Sequence, residues 1–168
     1  MKMIAAVAAI AGMLAFAPQS RADWISHTQE DPFRGNETLA VTSDGAFTLG
    51  FACTKASDLM MIFVVPEKHQ ERHADFLNAA FRILVIVDDM PKVELVARAQ
   101  VVPKNGWYRF VSDVGAVTGV VHAVATAKRR VAVAVEFMGE LGHTKQFSVS
   151  GSGRALGKLT SGCKLPPR

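Results

Sequence analysis

His69 and His73 lie four residues apart with Glu71 between them. On a helix that spacing puts both imidazoles on one face, where they can hold a metal ion. The order is His-Gln-Glu-Arg-His, not His-Glu-x-x-His, so the zinc-protease pattern is absent. The segment is also the most hydrophilic in the chain, and a solvated loop or helix face is the plainer expectation. Gly151, Gly153 and Gly157 superficially suggest a dinucleotide loop, but only eleven residues follow Gly157 and none is acidic. Five histidines leave a Ser/His/Asp triad open by count, yet no Gly-x-Ser-x-Gly elbow occurs. His122 reads as a partly buried structural histidine, and Asp88-Asp89-Met90-Pro91 reads first as turn chemistry. No catalytic residue and no cofactor is expected from these patterns. Trp107, Tyr108 and Phe110 cluster at an Asn-Gly turn; Asn105, Trp107 and Tyr108 form the candidate binding surface, since exposed aromatics at a hairpin tip often mark contact sites, with core packing the alternative for Trp107.

The two cysteines carry a different chemistry. Cys53 ends an early strand and Cys163 lies almost at the C-terminus. An even count in an oxidising compartment favours a disulfide. Closing a loop of about 110 residues contributes roughly 4 to 5 kcal/mol in the chain-entropy model. The absence of Cys-x-x-Cys argues against a redox role.

The compartment follows from the start of the chain. Lys2 precedes an apolar run from Ile4 to Ala17, too short to span a bilayer comfortably, and Ser20-Arg21-Ala22 is a small-x-small cleavage site. Residues 1–22 are therefore expected to be a secretory signal peptide cleaved after Ala22. Residues 23–168 are expected to form one β-rich periplasmic or secreted bacterial domain with no transmembrane segment after cleavage. Lys2 and Arg21 leave with the leader, so the excess of basic over acidic residues falls from four to two. The remaining cations are scattered apart from Lys128-Arg129-Arg130, which gives no footprint for nucleic acid.

The elements that must position these groups are mostly strands. Trp24 to Arg34 reads as an arm or short edge strand. Leu39 and Val41, then Phe47, Leu49 and Phe51, alternate as two half-buried strands. A two-residue loop at Asp44-Gly45 puts these sets on opposite faces. A three-residue loop, Ser43 to Gly45, pairs Val41 with Phe47 and Leu39 with Leu49 on one face, with Gly45 left-handed. Leu59 to Val65 is a continuous apolar run closed by Pro66, and Ile83 to Val87 is another; both suit buried strands. Val93 to Val102 alternates, and Asn105-Gly106 suits a two-residue turn pairing Lys104 with Trp107 and Val101 with Phe110. Val114, Val117, Val121 and Val124 recur at helical spacing, with Ser112 or Asp113 as N-cap and Lys128 to Arg130 at the negative end of the dipole. Val131 to Phe137 alternates again, Gly139 to His143 reads as a loop, and Gln146 to Ser150 as a short strand with Phe147 and Val149 inward. Ser152 to Ser161 reads as a helix that buries Leu156 and Leu159 and delivers Cys163. The expected fold is mainly β (α+β): a single-domain β-sandwich or bent antiparallel sheet with one or two short helices, closed by a Cys53–Cys163 disulfide.

The order of Trp24, Asp31-Pro32-Phe33, a strand reaching Cys53, Ile83 to Asp89, a helix-like stretch and a Val-rich strand resembles the small periplasmic VasI-like proteins associated with type VI secretion. The ending Phe147-Ser148-Val149-Ser150-Gly151, Ala155-Leu156, Leu159 and Cys163 completes that order, and its Gly151, Ala155-Leu156 and Leu159 are also similar to the invasion-associated locus B proteins. The polar insert from Glu67 to Asp75 departs from the first pattern. The resemblance implies a non-enzymatic envelope or secreted accessory protein that binds another protein, secretion- or virulence-related. The alternatives are a small metal-dependent hydrolase using His69, Glu71 and His73, and an inhibitor that inserts its Asn105 to Tyr108 tip into the cleft of a foreign enzyme.

Overall fold

Residues 23–30, 36–54, 58–70, 76–112 and 116–166 are described by a computed structural model of the chain. The expected leader, Asp31-Pro32-Phe33, Glu71, His73 and Asp113 lie outside them. The strands are β1 (Ile25–Gln29), β2 (Glu37–Asp44), β3 (Phe47–Cys53), β4 (Met60–Lys68), β5 (Ala80–Val87), β6 (Val93–Val101), β7 (Trp107–Ser112), β8 (Arg130–Phe137) and β9 (Glu140–Ser148). Two helices, α1 (Val117–Thr126) and α2 (Ser152–Gly162), flank the last two strands in sequence. Among the described residues neither is long and apolar enough to cross a membrane.

All nine strands form one antiparallel sheet in the order β1-β2-β3-β4-β7-β6-β5-β8-β9, curled into a half-barrel. Of the two architectures expected, the bent sheet is therefore the one adopted. The curl is visible in contacts between its far edges. Lys145 of β9 lies 3.0 Å from Asp44 of β2, and Phe147 meets Phe63 of β4 edge-on at 6.1 Å. Trp24, just before β1, donates through its indole N–H to the carbonyl of Ser148 and through its backbone to that of Ser150.

Registry carries one parity through the sheet. Phe51 pairs with Met61, Phe63 with Phe110, Phe110 with Ala99, Phe81 with Ala97, Ile83 with Val135 and Val131 with Phe147. All are buried on the concave side. The helices cover that side through Val117, Val120, Val121 and Val124 of α1 and Ala155, Leu156 and Leu159 of α2. Cys163 follows α2 and is bonded to Cys53, with Cα atoms 5.9 Å apart.

The first hairpin departs from its expected register. Asp44 pairs with Phe47 and Val41 with Gly50, so the loop is Gly45-Ala46 and the three-residue loop is not formed. Thr38, Ala40 and Thr42 face inward, and Leu39 and Val41 face outward. Two packing demands account for this. The end of α2 sits so close to β2 that a Cβ on Gly162 would lie 2.5 Å from the Thr38 hydroxyl oxygen, so the inward residues must be small. Outside, Leu39 and Val41 lie across Gly50, which has no side chain of its own. Gly45 is left-handed as expected, at φ 63°.

Other boundaries move for local reasons. Pro66 does not close β4; the strand runs on to Lys68, and the register slips between Val65 and Lys68 where proline cannot donate. The β6–β7 connection is a four-residue loop, Pro103 to Gly106, with Val101 opposite Tyr108 rather than Phe110. Pro103 presets the second position of a turn begun by Val102, whose carbonyl accepts from Asn105 and Gly106. The loop expected at Gly139 to His143 is instead a tight turn at Met138 and Gly139, both with positive φ, and β9 starts at Glu140. α1 begins after Ala116 with no side-chain cap, and Ser112 ends β7, where its hydroxyl accepts from the Met61 N–H.

Candidate functional site

Three regions carry the polar and exposed groups. The first is the open end of the half-barrel. His69 follows β4 and donates its backbone N–H to the Gly106 carbonyl. Its Nδ1 lies 2.9 Å from the Tyr108 hydroxyl, with the rings edge-on at 5.6 Å. Tyr108 is buried beside Phe76, which also meets Phe81, Phe110 and Phe137. Burial pushes the Tyr108 phenol above its ordinary range; a hydrogen bond from the Gln70 backbone acts against this, and the Glu67 charge adds to it. His143 of β9 donates to the Glu67 carboxylate at 2.6 Å, which ties the last strand to β4. Among the described residues no three His, Cys, Asp or Glu side chains come together as a metal-holding group. His69 is thus placed as a tie between β4 and the β6–β7 loop, and its expected partners Glu71 and His73 lie outside the described residues.

The second region is the β6–β7 tip. Lys104 and Asn105 are exposed and Trp107 is half-buried. The Asn105 side-chain carbonyl accepts from the Trp107 N–H and holds the turn. Tyr108, expected at an exposed tip, points into the core instead because strand parity takes it inward opposite Val65. Among the described residues the exposed part of the tip is therefore Pro103, Lys104, Asn105 and one side of Trp107.

The third region was not singled out from the sequence. On the convex face of β5, β8 and β9, Leu84 pairs with Ala134 and Ile86 with Ala132, and Thr144 and Leu141 follow on β9. Small side chains on β8 between larger ones on its neighbours leave a trough of about 420 Å³. Ile86 is 40% exposed and Leu141 64%. Its rim is charged: Arg82 lies 3.1 Å from Glu136, and Lys92 lies 2.8 Å from Glu94. The hydrogen bond from Lys92 holds the Glu94 carboxyl below its ordinary pKa, and the same bond raises that of Lys92. The signal was present in β5 and β8, whose outward positions are Leu84, Ile86, Ala132 and Ala134 where a solvated face carries polar residues.

Compared with family models, with curated proteins and with solved structures, the chain finds no match.

Proposed function

We propose that the chain is a non-enzymatic accessory protein of the bacterial envelope, periplasmic or secreted, that binds another protein through the trough on the convex face of β5, β8 and β9. The observation that carries this function is the apolar strip Leu84, Ile86, Ala132, Ala134 and Leu141 lining the trough, in which Ile86 and Leu141 are exposed and Leu84 and Ala134 are nearly buried. A contiguous apolar patch rimmed by charge is the usual form of a protein contact site, because its burial removes apolar area from water while the rim fixes orientation. The alanines of β8 give the trough depth, so a partner's apolar side chain has a place to sit. The disulfide and the leader-like start of the chain support an oxidising compartment.

The test is a pair of outward substitutions, Ala132→Glu and Ala134→Arg, in the oxidised mature protein. Both side chains project from the convex face rather than into the concave core; Ala132 is half-buried and Ala134 is 8% exposed, so the melting temperature of each variant is measured first and only folded variants are compared. Cross-linked capture from the protein's own periplasmic extract should recover one near-stoichiometric partner with the wild type, reduced at least tenfold with either variant. Equal recovery by folded variants would rule out the trough as the contact site.

A further inference from the structure

We propose that the cleft between α1 and the β5–β6 turn binds a neutral, compact apolar ligand, with His122 meeting its one polar atom. The cleft lies on the concave side of the sheet, opposite the trough, and holds about 320 Å³, the low end of the range of small-ligand pockets. Val85, Val87 and Val93 form its sheet wall, and Val120 and Ala123 its helix wall. Among the described residues that line it none is charged, so an ionic ligand would lose its hydration with no counter-charge in return. His122 is the one side chain there able to hydrogen-bond. Its Nε2 lies 3.2 Å from the Pro166 carbonyl, an acceptor only, so Nε2 donates there, and in the neutral imidazole the other ring nitrogen is an acceptor.

Gly119 is the second, independent observation. It sits inside α1 on the cleft wall, and a Cβ built on it meets nothing within 4 Å. Its φ is not positive, and no close approach of another chain segment requires it. A glycine inside a helix costs about 1 kcal/mol relative to alanine. Gly119 is itself exposed, and among the described residues it secures no turn and no contact; what it leaves is open space at the mouth of the cleft.

The walls are also fastened before anything binds. Asp88, at the turn after β5, accepts the backbone N–H groups of Lys128, Arg129 and Arg130, which follow α1 directly. That clamp fixes the β5–β6 turn relative to the helix, so little ordering is needed on binding. Met90, on the mouth, is 45% exposed, and its flexible thioether suits adaptable apolar contact.

The probe is N-phenylnaphthylamine, a neutral apolar amine whose fluorescence rises out of water, titrated into the oxidised mature protein. The wild type should give a saturable rise. Gly119→Ala, Gly119→Leu and Gly119→Phe should weaken binding stepwise, at least tenfold by Leu, while melting at or above the wild-type temperature. Ala123→Met, which narrows the cleft one turn further on, is the second arm, and Ala134→Arg on the opposite face should leave probe binding unchanged. Equal affinity across the folded Gly119 series, or no saturable rise with the wild type, overturns the proposal. So does self-association lost along the series with no probe bound, which would make the cleft an interface between copies.

Discussion

Asp88 shows how one side chain can hold a whole connection. Its backbone is left-handed, at φ 49°, and its carboxylate receives three backbone N–H groups from Lys128 to Arg130. The first of these, from Lys128, is the largest reason its pKa falls below the ordinary value of 3.8. A depressed carboxyl pKa contributes stability that is fully present above the unfolded value and is lost as pH falls through the folded one. Thermal melts taken from neutral pH down past 3.8 should therefore show an acid-sensitive limb, and Asp88→Ala should flatten it while lowering the neutral melting temperature. Gly162 makes a steric prediction. Its absent Cβ would lie 2.5 Å from the Thr38 hydroxyl oxygen, so Gly162→Ala should cost about 1–3 kcal/mol in chemical denaturation. Thr38→Ala in the same chain should recover part of that loss, a non-additive pair. Trp24 stacks on Phe51 at 5.9 Å and donates its indole N–H to Ser148. Trp24→Ala should cost about 3–5 kcal/mol, and Trp24→Phe, which keeps the stack but not the donor, about 1 kcal/mol.

At the scale of elements, α2 and the first hairpin are held as a unit by Cys53 and Cys163. Replacing both cysteines with alanine should lower stability by about 2–5 kcal/mol, read by denaturant titration of the variant against the oxidised wild type. The same elements show what sequence pattern can and cannot carry. The disulfide, α2, the concave residues of β5, β6 and β8, and the Val-rich helix were legible, because each follows from parity, helical spacing or cysteine count. The β2–β3 register was not. Alternation in Leu39 and Val41 gives a face but does not say which face is the core. That choice was made by α2, more than a hundred residues away, whose close approach admits only Thr38, Ala40 and Thr42. Asn105-Gly106 does not set the β6–β7 register for a similar reason: Pro103, two residues earlier, fixes where the turn begins. The trough is not legible in sequence alternation, which marks only a strand's buried face, and Ala132 and Ala134 are weakly apolar by themselves. They matter only when β5 and β9 set larger side chains on either side.

The whole molecule is a sheet curled into a half-barrel, with side chains bridging its two sides. Trp24 bridges β1 to the end of β9, while Asp44–Lys145 and Glu67–His143 bridge β9 to the strands near the other edge. Curling of this kind places one apolar surface inside, where the helices cover it, and among the described residues no helix covers the convex side of β5, β8 and β9. Protein binding is proposed for that uncovered side, and the β6–β7 tip is the competing surface expected from the sequence. The two are separated most directly by site-specific photo-cross-linking in the periplasm, with a photoreactive residue placed at Ile86 in one variant and at Asn105 in another. The function proposed here predicts a discrete adduct of one partner at position 86 and none at position 105. An adduct at 105 alone, or no adduct at 86 in a folded, oxidised protein, would contradict it.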